Sequence, residues 1–255
     1  MPPFSGYTDL IPSLTRAQLF PLLAEELQAF STDQLRSLDT VQLSYLSSAQ
    51  LNYLSTEQMV SLLTSQVRGL TTLQVGALTS VNLNALGTSQ FQALTTLQVA
   101  ALKASQVASL ETADLLSLGS VQLRALGTAG IAALRSEQVM ALSAEKFASL
   151  TTGQIAALTT SSLALLGSEK LAMLTTLQVG GLKTQQLLGL SSESLNALTT
   201  EQFAALKVTQ LPSLTSGQLL SLERADLQAL STVQMGALSS AQLNYLSTEQ
   251  MVSLL

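Results

Sequence analysis

The sequence predicts an all-α solenoid in which each eight residues form one very short helix. Three observations predict it. Leucine recurs every eight residues from Leu38 to Leu254, and the same phase runs back through Phe30, Leu22 and Leu14. Residues 7–254 are therefore 31 consecutive octads with no insertion or deletion. A second apolar residue stands three places before each of these, as in Leu35, Leu43, Met59, Val67 and Val75. With the recurrent leucine as position 8, Gln holds position 4 in 21 octads, and Ser or Thr holds position 2 in 25. Such self-similarity is the mark of a stacked repeat.

The octad itself decides between local structures. In one long helix, eight residues turn about 800°, so the apolar stripe would drift by about 80° per repeat and face no partner. A β-solenoid is the alternative, but apolar spacings of three and five do not alternate, and Leu, Ala and Gln favour helix. A short helix over positions 3 to 8, about 9 Å long, agrees with more of the sequence. Ser or Thr at position 2 then serves as N-cap. Glu at position 3, as in Glu57, Glu137 and Glu249, suits the first turn. Gly at position 1 (Gly87, Gly119, Gly127, Gly167) suits a left-handed residue after the helix. Pro12 and Pro212 at position 6 and Pro21 at position 7 cost less here than in a long helix, because fewer bonds are lost.

Such helices are stable only when stacked. Positions 5 and 8 are expected inside and the small residues of position 7 at close approaches. Gln at position 4 either bonds to the next turn's backbone or faces solvent. Similar stretches lie 7, 10, 14 and 24 octads apart, the last being SSAQLNYLSTEQMVSLL at 47–63 and 239–255. They fit about 3.4 octads per turn, and block duplication fits them as well. On the first reading the chain makes about nine coils and a rod about 80–90 Å long. Residues 1–30 hold Phe4, Tyr7, Phe20 and four prolines, and read as an N-terminal cap. In them LFPLLAEELQAF drops the Ser/Thr cap and is expected to form a longer helix. Residues 31–255 read as the continuous solenoid, truncated or open at its end.

Composition excludes several chemistries. Without Cys or His there is no disulfide, no Cys/His zinc site and no Ser-His-Asp triad. A net charge of −5 with eleven scattered Lys and Arg argues against nucleic acid. No run of 18 apolar residues points to membrane insertion, and MPPFSGYTDL lacks a secretory signal pattern. No cofactor motif occurs. The Glu111/Asp114 and Glu223/Asp226 pairs are the sole acid–base candidates, and solvation accounts for them; the chain is expected not to be an enzyme.

TTLQVAALKASQVASL and LTTGQIAALTT resemble the LTTxQVAAL tracts of large bacterial repeat proteins, and the likeness covers most of the chain. The resemblance implies a secreted or surface-associated repeat protein and no particular activity. The first functional expectation is a structural rod, spacer or filament segment that stacks end to end with itself. The second is a platform for a protein or glycan partner. Its candidate residues are Tyr45, Tyr53 and Tyr245 at position 7, and Asn52, Asn84, Asn196 and Asn244 at position 6. A regular Thr column also suits ice binding, although capping uses it more simply.

Overall fold

The computed structural model describes residues 13–254, so the readings on Phe4, Tyr7 and Pro12 lie outside the described residues. Among these there are 29 α-helices of four to seven residues and no strand. Every octad from 15–22 to 247–254 carries one helical segment, α in all but 207–214. The protein is an all-α solenoid, and the β-solenoid alternative fails. The chain divides into two compact units, 1–133 and 134–255.

The helices sit one residue earlier than the sequence suggested. The α-helices start at position 2, except Gly127–Ala133 at position 1, and end between positions 5 and 7, as in Thr32–Ser37, Thr96–Ala100 and Thr152–Ala157. Position 1 is the N-cap: Ser31, Asp39, Thr71 and Thr151 accept from the position-4 backbone N–H. The Ser or Thr at position 2 is the first helical residue. Position 4 explains the shift. A capping box needs Gln or Glu three residues after the N-cap, its side chain reaching back to the N-cap N–H. Gln34 Oε1 does this for the Ser31 N–H at 2.8 Å. The bond survives where position 1 cannot cap, from Leu63 N–H to Gln66 at 2.7 Å and from Lys103 N–H to Gln106 at 2.8 Å.

Two further expectations change for the same reason. Gly87, Gly119 and Gly167 have φ of −82°, −72° and −71° and are extended N-caps. Only Gly127, at φ 65°, takes the left-handed conformation among the described residues, where Ser120–Ala125 runs almost directly into Gly127–Ala133. The tract LFPLLAEELQAF forms no longer helix. Glu26 accepts from the Leu23 N–H at 2.9 Å and starts a fresh one at Ala24–Gln28.

The core follows the octad. Every position-5 side chain from Leu19 to Leu227 is fully buried, and the position-8 leucines between them are buried beside it. Each such side chain stabilises the fold by about 1.5–3 kcal/mol relative to exposure. The position-8 residue usually leaves the helix in an extended conformation, as Leu38 does at φ −68° and ψ 136°, and turns the chain into the next octad.

Gln at position 4 ties the coils together. From Gln34 onward it is buried, or half-buried at Gln122, rather than at the solvent. The Gln58 amide donates to the carbonyls of Leu27 at 3.0 Å and Phe30 at 2.8 Å, positions 5 and 8 of the octad four before. Gln218 does the same to Leu187 and Leu190 at 2.9 and 2.8 Å in the second unit. Helices also pack on those three octads away: Thr72–Ala77 on Thr96–Ala100 and that on Ser120–Ala125, then Thr152–Ala157 on Thr176–Gly180 and that on Thr200–Ala204. Within each unit an octad thus meets its third and fourth neighbours, so one turn holds between three and four octads. The 3.4 read from the echoes lies in that interval.

Candidate interaction surface

With positions 4, 5 and 8 inside the solenoid, the outer surface is built from positions 2, 3, 6 and 7 and from the mostly exposed N-caps of position 1. Where glycine stands at position 7, it lies close against the Thr at position 2 of the octad three before. A Cβ on Gly181 would lie 2.2 Å from the Thr152 methyl, one on Gly189 2.4 Å from that of Thr160, and one on Gly69 2.6 Å from that of Thr40. Of the large residues of position 7, Tyr53 is three octads beyond Ala24 and Met173 three beyond Ala144, whereas Leu165 and Tyr245 are three beyond Ser136 and Ser216 and Tyr45 three beyond Arg16.

The seven candidate residues divide by these rules. Tyr45 is half-buried, and Tyr53 and Tyr245 are exposed. Asn52, Asn84 and Asn196 are half-buried and their amides point into the next coil. Asn52 donates to the Ala77 carbonyl at 2.8 Å and accepts from the Thr79 N–H at 2.9 Å. Asn84 and Asn196 donate to the carbonyls of Ser109 and Ser221, each at 2.7 Å. Asn244 is exposed. The three coil-bridging asparagines each give an amide to a backbone carbonyl of the following coil.

Sequence reasoning missed a different feature, at position 3. Leu73, Leu97 and Val121 follow one another at intervals of three octads on successively packed helices and are 80, 72 and 58 % exposed. They form an apolar column on the first unit, flanked by Thr72, Thr96 and Ser120. Scattered exposed hydrophobes need no explanation, whereas aligned ones mark a candidate contact surface. The signal was present in the repeated TTLQV phrase, which places Leu where other octads place Glu or Ser. In the second unit Leu177, 78 % exposed, borders an open groove of about 370 Å³ with Thr152, Gly180, Gly181, Ala205 and Lys207.

The paired carboxylates are not equivalent within each pair. Asp114 and Asp226 occupy position 4 and are buried, whereas Glu111 and Glu223 are exposed N-caps. Burial, and then the Glu111 charge, raises the Asp114 carboxyl to about 6. Burial raises that of Asp226 as well, with the Glu223 charge adding to it and a hydrogen bond from Thr200 opposing it. Arg224 is turned to Glu249, at 3.9 Å, on the exposed surface. Glu223 lines an open groove of about 350 Å³ with Leu220, Leu222, Arg224 and Glu249, and Asp226 is not among its lining residues. Among the described residues no three His, Cys, Asp or Glu side chains are grouped to hold a metal, and no helix is long and apolar enough to cross a membrane.

A family model described as the ALTTAQ repeat matches residues 25–56, 107–144, 179–216 and 219–254, more than half of the chain. A search of curated proteins found no match.

Proposed function

The chain belongs to the ALTTAQ repeat family, and from that premise we propose that it is a non-enzymatic structural repeat protein, a spacer or filament segment acting at or outside the cell surface. The observation that supports this reading is where the polar chemistry goes. The recurring Gln, and with it the Ser or Thr of position 1, are used up in capping and in bonds between coils. What remains outside is mostly neutral or apolar and thinly charged. A chain of this kind has its sequence constrained by stacking, and extends by adding identical units. A heterologous contact between copies, one coil on the next, generates a filament.

The test is electron microscopy across a concentration series, with circular dichroism on the same sample. Uniform filaments that lengthen with concentration support the polymer. Discrete particles at every concentration favour a second reading, a binding platform, for which the Leu73–Leu97–Val121 column is the specific observation. That reading predicts that replacing all three by Ser abolishes capture of a protein partner while leaving the helical dichroism unchanged.

A further inference from the structure

Three described octads carry a side chain at position 4 that is one carbon shorter than Gln: Asn82, Asp114 and Asp226. For each, the octad four before holds an asparagine at position 6: Asn52, Asn84 and Asn196. The first pair explains the association. The Asn82 amide still reaches the carbonyls of Leu51 at 3.1 Å and Leu54 at 3.3 Å, so the shorter side chain spans the gap between coils. It no longer reaches back to the N-cap, and the Thr79 N–H is taken by Asn52 Oδ1 instead. The asparagine from the coil below supplies the acceptor that the short residue gave up.

The same register places Asp114 opposite the carbonyls of Leu83 and Leu86, and Asp226 opposite those of Leu195 and Leu198. An aspartate is the shape of an asparagine, but where the amide brings N–H groups an ionised carboxylate brings only lone pairs. Facing carbonyl oxygens, it lacks the donor that every Gln and Asn rung has. Among the described residues the Asn84 and Asn196 Oδ1 atoms are also buried without a partner. The unpartnered asparagine oxygen is thus repeated at two separate places, one in each compact unit, and the two differ in that a hydrogen bond from Thr200 to Asp226 opposes the upward shift there.

We infer that Asp114 and Asp226 are proton-held rungs, neutral in the closed coil with the carboxyl O–H donating to the facing carbonyl, so that ionisation loosens two joints of the solenoid. On ionisation the proton passes to water and no other bond changes. The surrounding charges favour the neutral form. Around Asp226 stand Glu223 and Arg224 of its own octad, Glu201 on Thr200–Ala204, Glu193 on Ser192–Asn196 and Glu249 on Thr248–Val252, with Arg224 committed to Glu249. Within the first unit Asp114 has Glu111 beside it, and neither Ser80–Asn84 nor Thr88–Ala93 carries a charge. Both carboxyls are shifted upward, Asp114 to about 6. A folded pKa above the unfolded one means that folding takes up protons. The stabilisation is full below the unfolded value of 3.8 and is lost as pH rises through the folded value. The protein should therefore be tighter in mild acid than at neutral pH.

The experiment is equilibrium unfolding of the full chain between pH 4.5 and 8, compared with Asp114→Asn/Asp226→Asn, and carbon-detected NMR titration of the aspartates in the parent. Asn82 is the natural precedent for the substitution. The wild type is expected to lose stability as pH rises, with up to about one proton taken up on folding per carboxyl. The double variant is expected to lose that slope and to be at least as stable as the parent at pH 8. Asp114 and Asp226 midpoints near the ordinary 4, or a variant that keeps the parent's slope, would overturn the inference. The NMR midpoints decide even if the variant does not fold.

Discussion

At the scale of the residue, one glutamine does three jobs. Gln98 Oε1 accepts from the Thr95 N–H at 2.8 Å, and its amide donates to Val67 and Leu70 at 2.9 and 2.7 Å. A buried group left without a partner costs about 1–3 kcal/mol. Gln98→Leu, which preserves bulk, orphans an N–H and at least one carbonyl and is expected to cost about 2–5 kcal/mol in chemical denaturation. Gln92→Ala, at exposed position 6, should stay within about 0.5 kcal/mol. Equal losses would mean that the ladder contributes nothing. The need for Gln at position 4 was legible in its frequency, but its partners were not. They lie 28 and 31 residues away, and finding them requires the number of octads per turn. The N-cap was misplaced because positions 1 and 2 are both rich in Ser and Thr, and only the Gln spacing separates them.

At the scale of the element, a six-residue helix has few bonds of its own, and the octad 207–214 shows how little it depends on them. Pro212 has no N–H to give, and the segment becomes a 3₁₀ turn over Leu211–Ser213. Gln210 still caps Lys207 at 2.6 Å and reaches Leu182 at 2.7 Å, and Leu211 stays fully buried. Apolar spacing and capping made the elements readable in the sequence; the closeness of the coils was not, because it is a property of neighbours three octads apart. Two glycines measure it. A Cβ on Gly76 would meet the Ala101 carbonyl oxygen at 2.6 Å, and backbone cannot move aside cheaply. Gly217 has nothing within 4 Å. Both are helical, and Ala is favoured over Gly in a helix by about 1 kcal/mol. Gly217→Ala should raise the melting temperature and Gly76→Ala should lower it. The same sign at both sites would mean that the coils do not meet as closely as the structure places them.

At the scale of the whole molecule, stability is a sum of octads and their interfaces, so removing one octad is not like removing a segment of the same length from a globular domain. If octad 183–190 is deleted, the four octads that follow it meet neighbours one octad further back, and later octads keep the neighbours they had. Positions 4, 5 and 8 find the same chemistry there, so the Gln rungs re-form. Deleting 215–222 shifts the stack equally but falls between Asn196 and Asp226, which then stand three octads apart instead of four. The asparagine is no longer in register with the short rung, and two buried polar groups lose their places. The second deletion should therefore melt clearly lower than the first, and a half-octad deletion, which breaks the phase, lower than either. Equal melting of the two octad deletions would mean that Asn196 and Asp226 act independently. A low-melting 183–190 deletion would mean that each octad recognises particular neighbours and not merely the repeated pattern. The contrast is measurable by thermal denaturation followed by circular dichroism, and it separates a solenoid held by a generic ladder from one whose turns are individually specified.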